Sequence, residues 1–85
     1  MKLFVSGRSV RSDTALKNLR DTLQEVVADD YELNVIDVLE YPQLAEDDLV
    51  LATPTLIKLN PLPVRRTIGD LSDKQSLLLG LGLQG

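Results

Sequence analysis

Two short apolar runs, Leu3-Phe4-Val5 and the segment from Leu33 to Leu39, flank a stretch in which Leu16, Leu19, Leu23, Val26 and Val27 recur at helical spacing. That order narrows the possible folds more than any other feature. Lys17, Arg20, Asp21 and Glu25 fall between the apolar positions. The spacing therefore predicts an amphipathic helix of about four turns. Ser9 or Ser12 can cap its start, and Asp29-Asp30 ends it. Leu33, Val35, Ile36, Val38 and Leu39 make the second run apolar on both faces. Strands of that kind are usually parallel and covered by helices. Strand, helix and strand together make one βαβ unit, right-handed by default.

Composition sets the limits. The 85 residues suit one small domain, 1–85, with a limited core. A hydrophobic content of 44% is too high for a disordered chain. A net charge of −4 argues against a nucleic-acid partner. There is no cysteine and no histidine, which excludes disulfides, thiolate chemistry, imidazole acid–base catalysis and the usual zinc ligand sets. No catalytic residue, cofactor or metal ligand is expected. The acidic run Glu46-Asp47-Asp48 would not converge on one ion from a helix. The longest apolar run is far too short to span a membrane. Met1 to Val5 enters a strand with no secretory pattern. A soluble cytoplasmic protein is the expectation.

Tyr41-Pro42 breaks the chain after the second strand. Gln43 to Asp48 reads as a short acidic helix, followed by Leu49-Val50-Leu51. Leu56 to Leu59 is a strand, Asn60 to Pro63 a turn, and Val64 to Ile68 the second arm of a hairpin. Prolines fit poorly inside a central strand, which supports the turn. The last segment reads two ways. Ser72 and Gln75 form a capping box for a helix starting at Asp73, with Leu71, Leu78 and Leu79 facing the core. Leu77, Leu79, Leu81 and Leu83 also alternate around Gly80 and Gly82, a strand period. Each glycine costs a helix roughly 1 kcal/mol relative to alanine, and a cap returns about as much, ~1 kcal/mol.

Ala52-Thr53-Pro54-Thr55-Leu56 joins the acidic helix to the next strand. Thioredoxin-like domains carry a cis-proline at this point, so Thr53–Pro54 is a candidate cis bond, accessible at roughly 0.5–1 kcal/mol for an X–Pro unit. Arg8-Ser9-Val10-Arg11 occupies the strand-to-helix turn where a thioredoxin carries its cysteine pair. The expected fold is α/β and thioredoxin-like, βαβαββα, with a four-stranded mixed sheet.

Val35-Ile36-Asp37-Val38-Leu39, Pro42 to Glu46, Leu51 to Leu56 and Val64 to Ser72 occur in an order and spacing that resemble the KaiB family of circadian clock proteins. The likeness runs from Lys2 to about Leu83. It implies a non-enzymatic regulator that exchanges a tetrameric ground fold, βαββααβ, for a monomeric thioredoxin-like fold. The ground fold is the alternative architecture, with residues 50–85 rearranged and Leu79 to Leu83 a strand. The resemblance implies that the thioredoxin-like form binds the N-terminal ATPase ring of KaiC, captures KaiA, and competes with the sensor domain of the histidine kinase SasA. A sensor or input module like that SasA domain is the second functional reading. Clock members carry a lysine at the position of Asn34 and an arginine at that of Thr14, both linked to partner capture. Both departures stand against KaiA binding.

Tyr31, Glu32 and Asn34 are read as lying on the second strand, an edge of a thioredoxin-like sheet. Exposed edges accept a partner strand, which makes these three the candidate partner-binding residues. Arg65 and Arg66 adjoin in a strand and so point to opposite faces. One of them can pair with Glu46, Asp47, Asp48 or an acidic partner. Gly80 and Gly82 are the candidate determinants of the choice between the two folds.

Overall fold

The first apolar run lies inside the sheet. The computed structural model describes residues 1–7, 9–27, 31–60, 62–69 and 71–82. In chain order these form β1 (Lys2–Val5), α1 (Val10–Val26), β2 (Asn34–Asp37), α2 (Pro42–Asp47), β3 (Thr55–Lys58), β4 (Arg65–Ile68) and α3 (Lys74–Leu81). The strands run in the order β2-β1-β3-β4. β1 pairs in parallel with β2 (Leu3↔Val35) and antiparallel with β3 (Leu3↔Leu56). β3 and β4 form an antiparallel hairpin in which Ile57 faces Arg66. The sheet is therefore mixed, in the expected βαβαββα order.

Alternation along β1 divides the core in two. Leu3 and Val5 pack with Ala15, Leu19 and Leu23 of α1, with Leu56, and with Leu71, Leu77 and Leu81 at α3. Phe4 points the other way, onto Ala45 of α2 and Ile57. Full burial of a leucine or phenylalanine contributes roughly 1.5–3 kcal/mol, so β1 and α1 hold the fold. Ser9 caps α1, its hydroxyl accepting from the Ser12 N–H at 3.1 Å. α1 ends at Val26, and the expected stop at Asp29-Asp30 lies outside the described residues.

β2 differs from the reading of a strand covered on both faces. Val35 is 44% exposed, because β2 is the outermost strand. The strand also stops at Asp37 and does not include Val38 or Leu39. One Asp37 carboxylate oxygen accepts from the N–H groups of Leu39 and Gly7, both at 2.9 Å. The first bond turns the chain, as aspartate does by bonding its own backbone two residues on; the second ties the ends of β1 and β2 together.

The last segment is a helix, and its cap is Asp73 rather than Ser72. The Asp73 carboxylate accepts from the N–H groups of Gln75 and Ser76 at 3.0 and 3.2 Å and from the Ser76 hydroxyl at 3.1 Å. These bonds hold the Asp73 carboxyl below its ordinary range. The Ser76 N–H is the chief cause and its hydroxyl the next; desolvation opposes them, and the Gln75 N–H adds the least. Leu77 and Leu81 face the core, whereas Leu78 is half-buried and Leu79 is exposed. Leu77 and Leu81, with Leu71 just ahead of the helix, are therefore the core-facing set, and the strand alternation through Leu79 is not realised. Leu83 lies outside the described residues. Gly82 closes the helix at φ 68°, the left-handed region that glycine adopts without penalty. Gly80 sits so close to β4 that a Cβ there would lie 2.5 Å from Thr67 Oγ1. Both glycines thus have a definite place in the helical state.

Candidate functional site

The β2 edge is open to solvent on its outer side. The Asn34 N–H bonds to the Met1 carbonyl at 2.9 Å and the Val38 N–H to the Val5 carbonyl at 2.8 Å. In a strand these groups alternate in direction, so the Val35 backbone between them points away from β1. Asn34 is exposed and shares the sheet face of α2, while Val35 shares that of α1. Of the three residues assigned to this strand, only Asn34 belongs to it. Tyr31 and Glu32 precede it. Tyr31 is half-buried against the α1-side core, and the Glu32 carbonyl accepts from the Met1 ammonium at 2.7 Å. The ladder between the two strands starts with Lys2 opposite Asn34; ahead of it Met1 reaches across to the Asn34 N–H and the Glu32 carbonyl without extending the strand.

A second surface lies beside α2. Val38, Pro42, Ala45, Leu49, Leu51 and Thr53 line a groove of about 480 Å³. Ala45 and Val50 join its wall to the core under Phe4. Bare apolar side chains stand at its rim, Leu49 72% and Leu51 95% exposed, with Glu46 beside them. Leu39, Tyr41 and Leu44 are also exposed nearby in sequence. Exposed apolar side chains around a groove are a feature of interaction sites. The far wall is the proline loop. Thr53–Pro54 is cis, and so is Leu62–Pro63 in the hairpin turn, which the sequence reading did not single out. Pro54 is buried, and its carbonyl accepts from the Gly69 N–H at 3.1 Å. The Thr55 hydroxyl donates to the Ala52 carbonyl at 2.5 Å. The loop is thereby fastened to β4 on one side and to itself on the other.

Two cations hold the turn that follows α2. Lys2 Nζ meets the Asp48 carboxylate at 3.0 Å. The Arg66 guanidinium donates to the carbonyls of Asp48 at 2.6 Å and Leu49 at 3.1 Å. The arginine reaches the acidic segment as expected, but it bonds backbone rather than carboxylate. Leu49 has φ 55°, a left-handed conformation that costs a non-glycine residue roughly 1–2 kcal/mol. Nothing in the local sequence signals this arginine contact, because the partners lie 17 and 18 residues away.

At the turn where a thiol pair would stand, Ser9 is occupied as a helix cap and Arg11 is exposed; Arg8 lies outside the described residues. Among the described residues no group of three or more carboxylates gathers to hold an ion, and no helix is long and apolar enough to cross a membrane.

The element order, the sheet and the cis-proline loop define a thioredoxin-like domain built without thiols. A solved structure agrees. The solution structure of the N-terminal domain of SasA from Synechococcus elongatus superposes with a TM-score of 0.76 at 32% identity, over 98% of this chain and 82% of that one. A KaiB-domain family profile matches residues 2–83. Among curated relatives, the circadian clock oscillator protein KaiB of Prochlorococcus marinus is 57% identical over 83 residues, 98% of this chain and 70% of the relative. The Synechococcus elongatus protein of the same name is 55% identical, over 98% of this chain and 81% of the relative. The chain belongs to the KaiB family, whose named members are circadian clock proteins.

Proposed function

We propose that this protein is a non-enzymatic cytoplasmic regulator that docks, as a thioredoxin-like monomer, on the N-terminal ATPase ring of a KaiC-like protein and modulates its phosphorylation cycle. The carrying observation is its shape: a KaiB-family chain has the fold of the SasA sensor domain. Two proteins of one shape can compete for one ring, which is what the family resemblance implies. The apolar groove beside α2 supplies contact area, and its bare Leu49 and Leu51 gain most from being covered. The open β2 edge at Val35, with Asn34 and Glu32 beside it, is a second docking surface suited to strand addition. KaiA is its candidate occupant, disfavoured by Asn34 and Thr14 where clock members are basic. A tetramer belongs to the alternative fold, with Gly80 and Gly82 as determinants of the exchange.

The test is retention of the chain by a KaiC-type hexamer and its displacement by the SasA N-terminal domain. Retention at micromolar concentration with mutual displacement is expected. No retention at tens of micromolar after long incubation overturns the proposal. The likeness to the SasA domain also favours a second reading, a sensor-input module. A histidine kinase region encoded in the same reading frame would decide for it.

A further inference from the structure

We infer that Arg66 is the positioning residue of the groove beside α2: its guanidinium fork, held out from β4, fixes the left-handed turn at Leu49 and so sets where Leu49 and Leu51 stand. The inference rests on the docking role just proposed, but it makes a claim of its own about the loop. The brace on this turn is long-range in origin. It comes with the pairing of β4 on β3, Ile57 opposite Arg66, a register in which the side chain reaches the carbonyls of Asp48 and Leu49. A guanidinium presents planar paired donors, so one residue holds two consecutive carbonyls in a fixed fork; an ammonium has three donors but no such fork and holds them less firmly. Locally the turn is closed as a helix end, by the Val50 N–H on the Ala45 carbonyl at 2.8 Å and the Leu49 N–H on the Glu46 carbonyl at 3.1 Å; leucine is disfavoured at that left-handed position, and the two Arg66 bonds offset its cost. Lys2 fixes the Asp48 carboxylate but touches neither carbonyl in this way. The groove is therefore complete only when the hairpin is formed, and docking is coupled to the state of β4.

The experiment compares the intact chain with Arg66→Gln, Arg66→Lys and the double variant Arg66→Gln/Leu49→Gly. Amide exchange is read at Val50, whose N–H bonds to the Ala45 carbonyl at 2.8 Å, and at β1 and β3 as internal reference. Affinity for a KaiC-type ring is measured in parallel. Arg66→Gln is expected to speed Val50 exchange about tenfold while β1 and β3 stay within about twofold. Ring affinity falls with the competent fraction, at least about fivefold. Arg66→Lys recovers only part of either. Adding Leu49→Gly restores Val50 protection, since glycine adopts the turn unaided; a general loss of packing would not be rescued this way. Unchanged Val50 exchange in Arg66→Gln overturns the inference. So does an equal rise across β1 and β3, or a loosened loop with undiminished ring affinity. Should the intact chain fail to bind the ring, the docking role falls alone, and the Val50 result still decides whether Arg66 sets the turn.

Discussion

Adding one methyl group at Gly80 should destabilise the protein, and removing the Thr67 side chain should reverse the sign. In an isolated helix Gly→Ala gains about 1 kcal/mol. Here the new Cβ would lie 2.5 Å from Thr67 Oγ1 and 3.6 Å from its Cβ. Only the first contact is a clash. Thr67 is β-branched and stiff about χ1, so turning the hydroxyl away swings its methyl group toward the same space. Overpacking of this kind costs roughly 1–3 kcal/mol. The net for Gly80→Ala is a loss of about 1 kcal/mol. In a Thr67→Ala background the obstructing atom is gone, the 3.6 Å neighbour is in ordinary contact, and Gly80→Ala should stabilise by about 0.5–1 kcal/mol. Urea unfolding of the four chains at constant m-value gives the cycle. A coupling of about 1.5–2 kcal/mol is expected for residues in direct contact. A Gly80→Ala variant more stable than the parent, or a coupling below about 0.5 kcal/mol, would refute the claim that α3 and β4 are held this close.

Leu51→Asp should leave urea stability within about 0.5 kcal/mol, because the side chain is 95% exposed, yet abolish retention by a KaiC-type ring; undiminished retention would remove the groove from the interface. Asp73 titrates below its ordinary range in the fold, so its contribution is fully present above the unfolded-state pKa and is lost as pH falls through the folded one. Asp73→Asn should flatten that acid limb of the stability–pH curve, and an unchanged limb would count against the cap. Asn34→Lys with Thr14→Arg should strengthen KaiA capture by about 2–5-fold per charge, as exposed ion pairs do, with a slope that salt removes; a salt-independent change would point away from the β2 edge.

The first half of the fold was readable because its signals are local and agree. The Leu16-Leu19-Leu23 spacing, the Ser9 cap and the apolar Leu3-Phe4-Val5 run all lead to one βαβ unit. The final helix was undecided locally, since glycine and cap terms offset each other. Tertiary contact decides it. Leu77 and Leu81 complete the core that Leu3 and Leu19 begin, and the absent side chain of Gly80 admits Thr67. The cap at Asp73 is masked in the sequence because Ser72 matches the capping pattern one residue earlier. At the candidate site the open edge was legible, but which residues form it depends on where β1 starts, and Tyr31 and Glu32 fell outside. Arg66 was legible as a charge near an acidic segment. Its use of carbonyls rather than carboxylates follows from the hairpin register, which no short stretch of sequence encodes.

The two halves of the sheet meet along a single seam: Lys2 against Ile57, Leu3 against Leu56, Phe4 against Thr55. Before it, β1 pairs in parallel with β2; after it, β3 carries β4, and α3 returns to the core over β1 and α1. A remodelling of the later half would have to unzip this short border and lift Leu71, Leu77 and Leu81 out of the core they share with Leu3 and Leu19, while the parallel pairing of β1 with β2 could stay as a template.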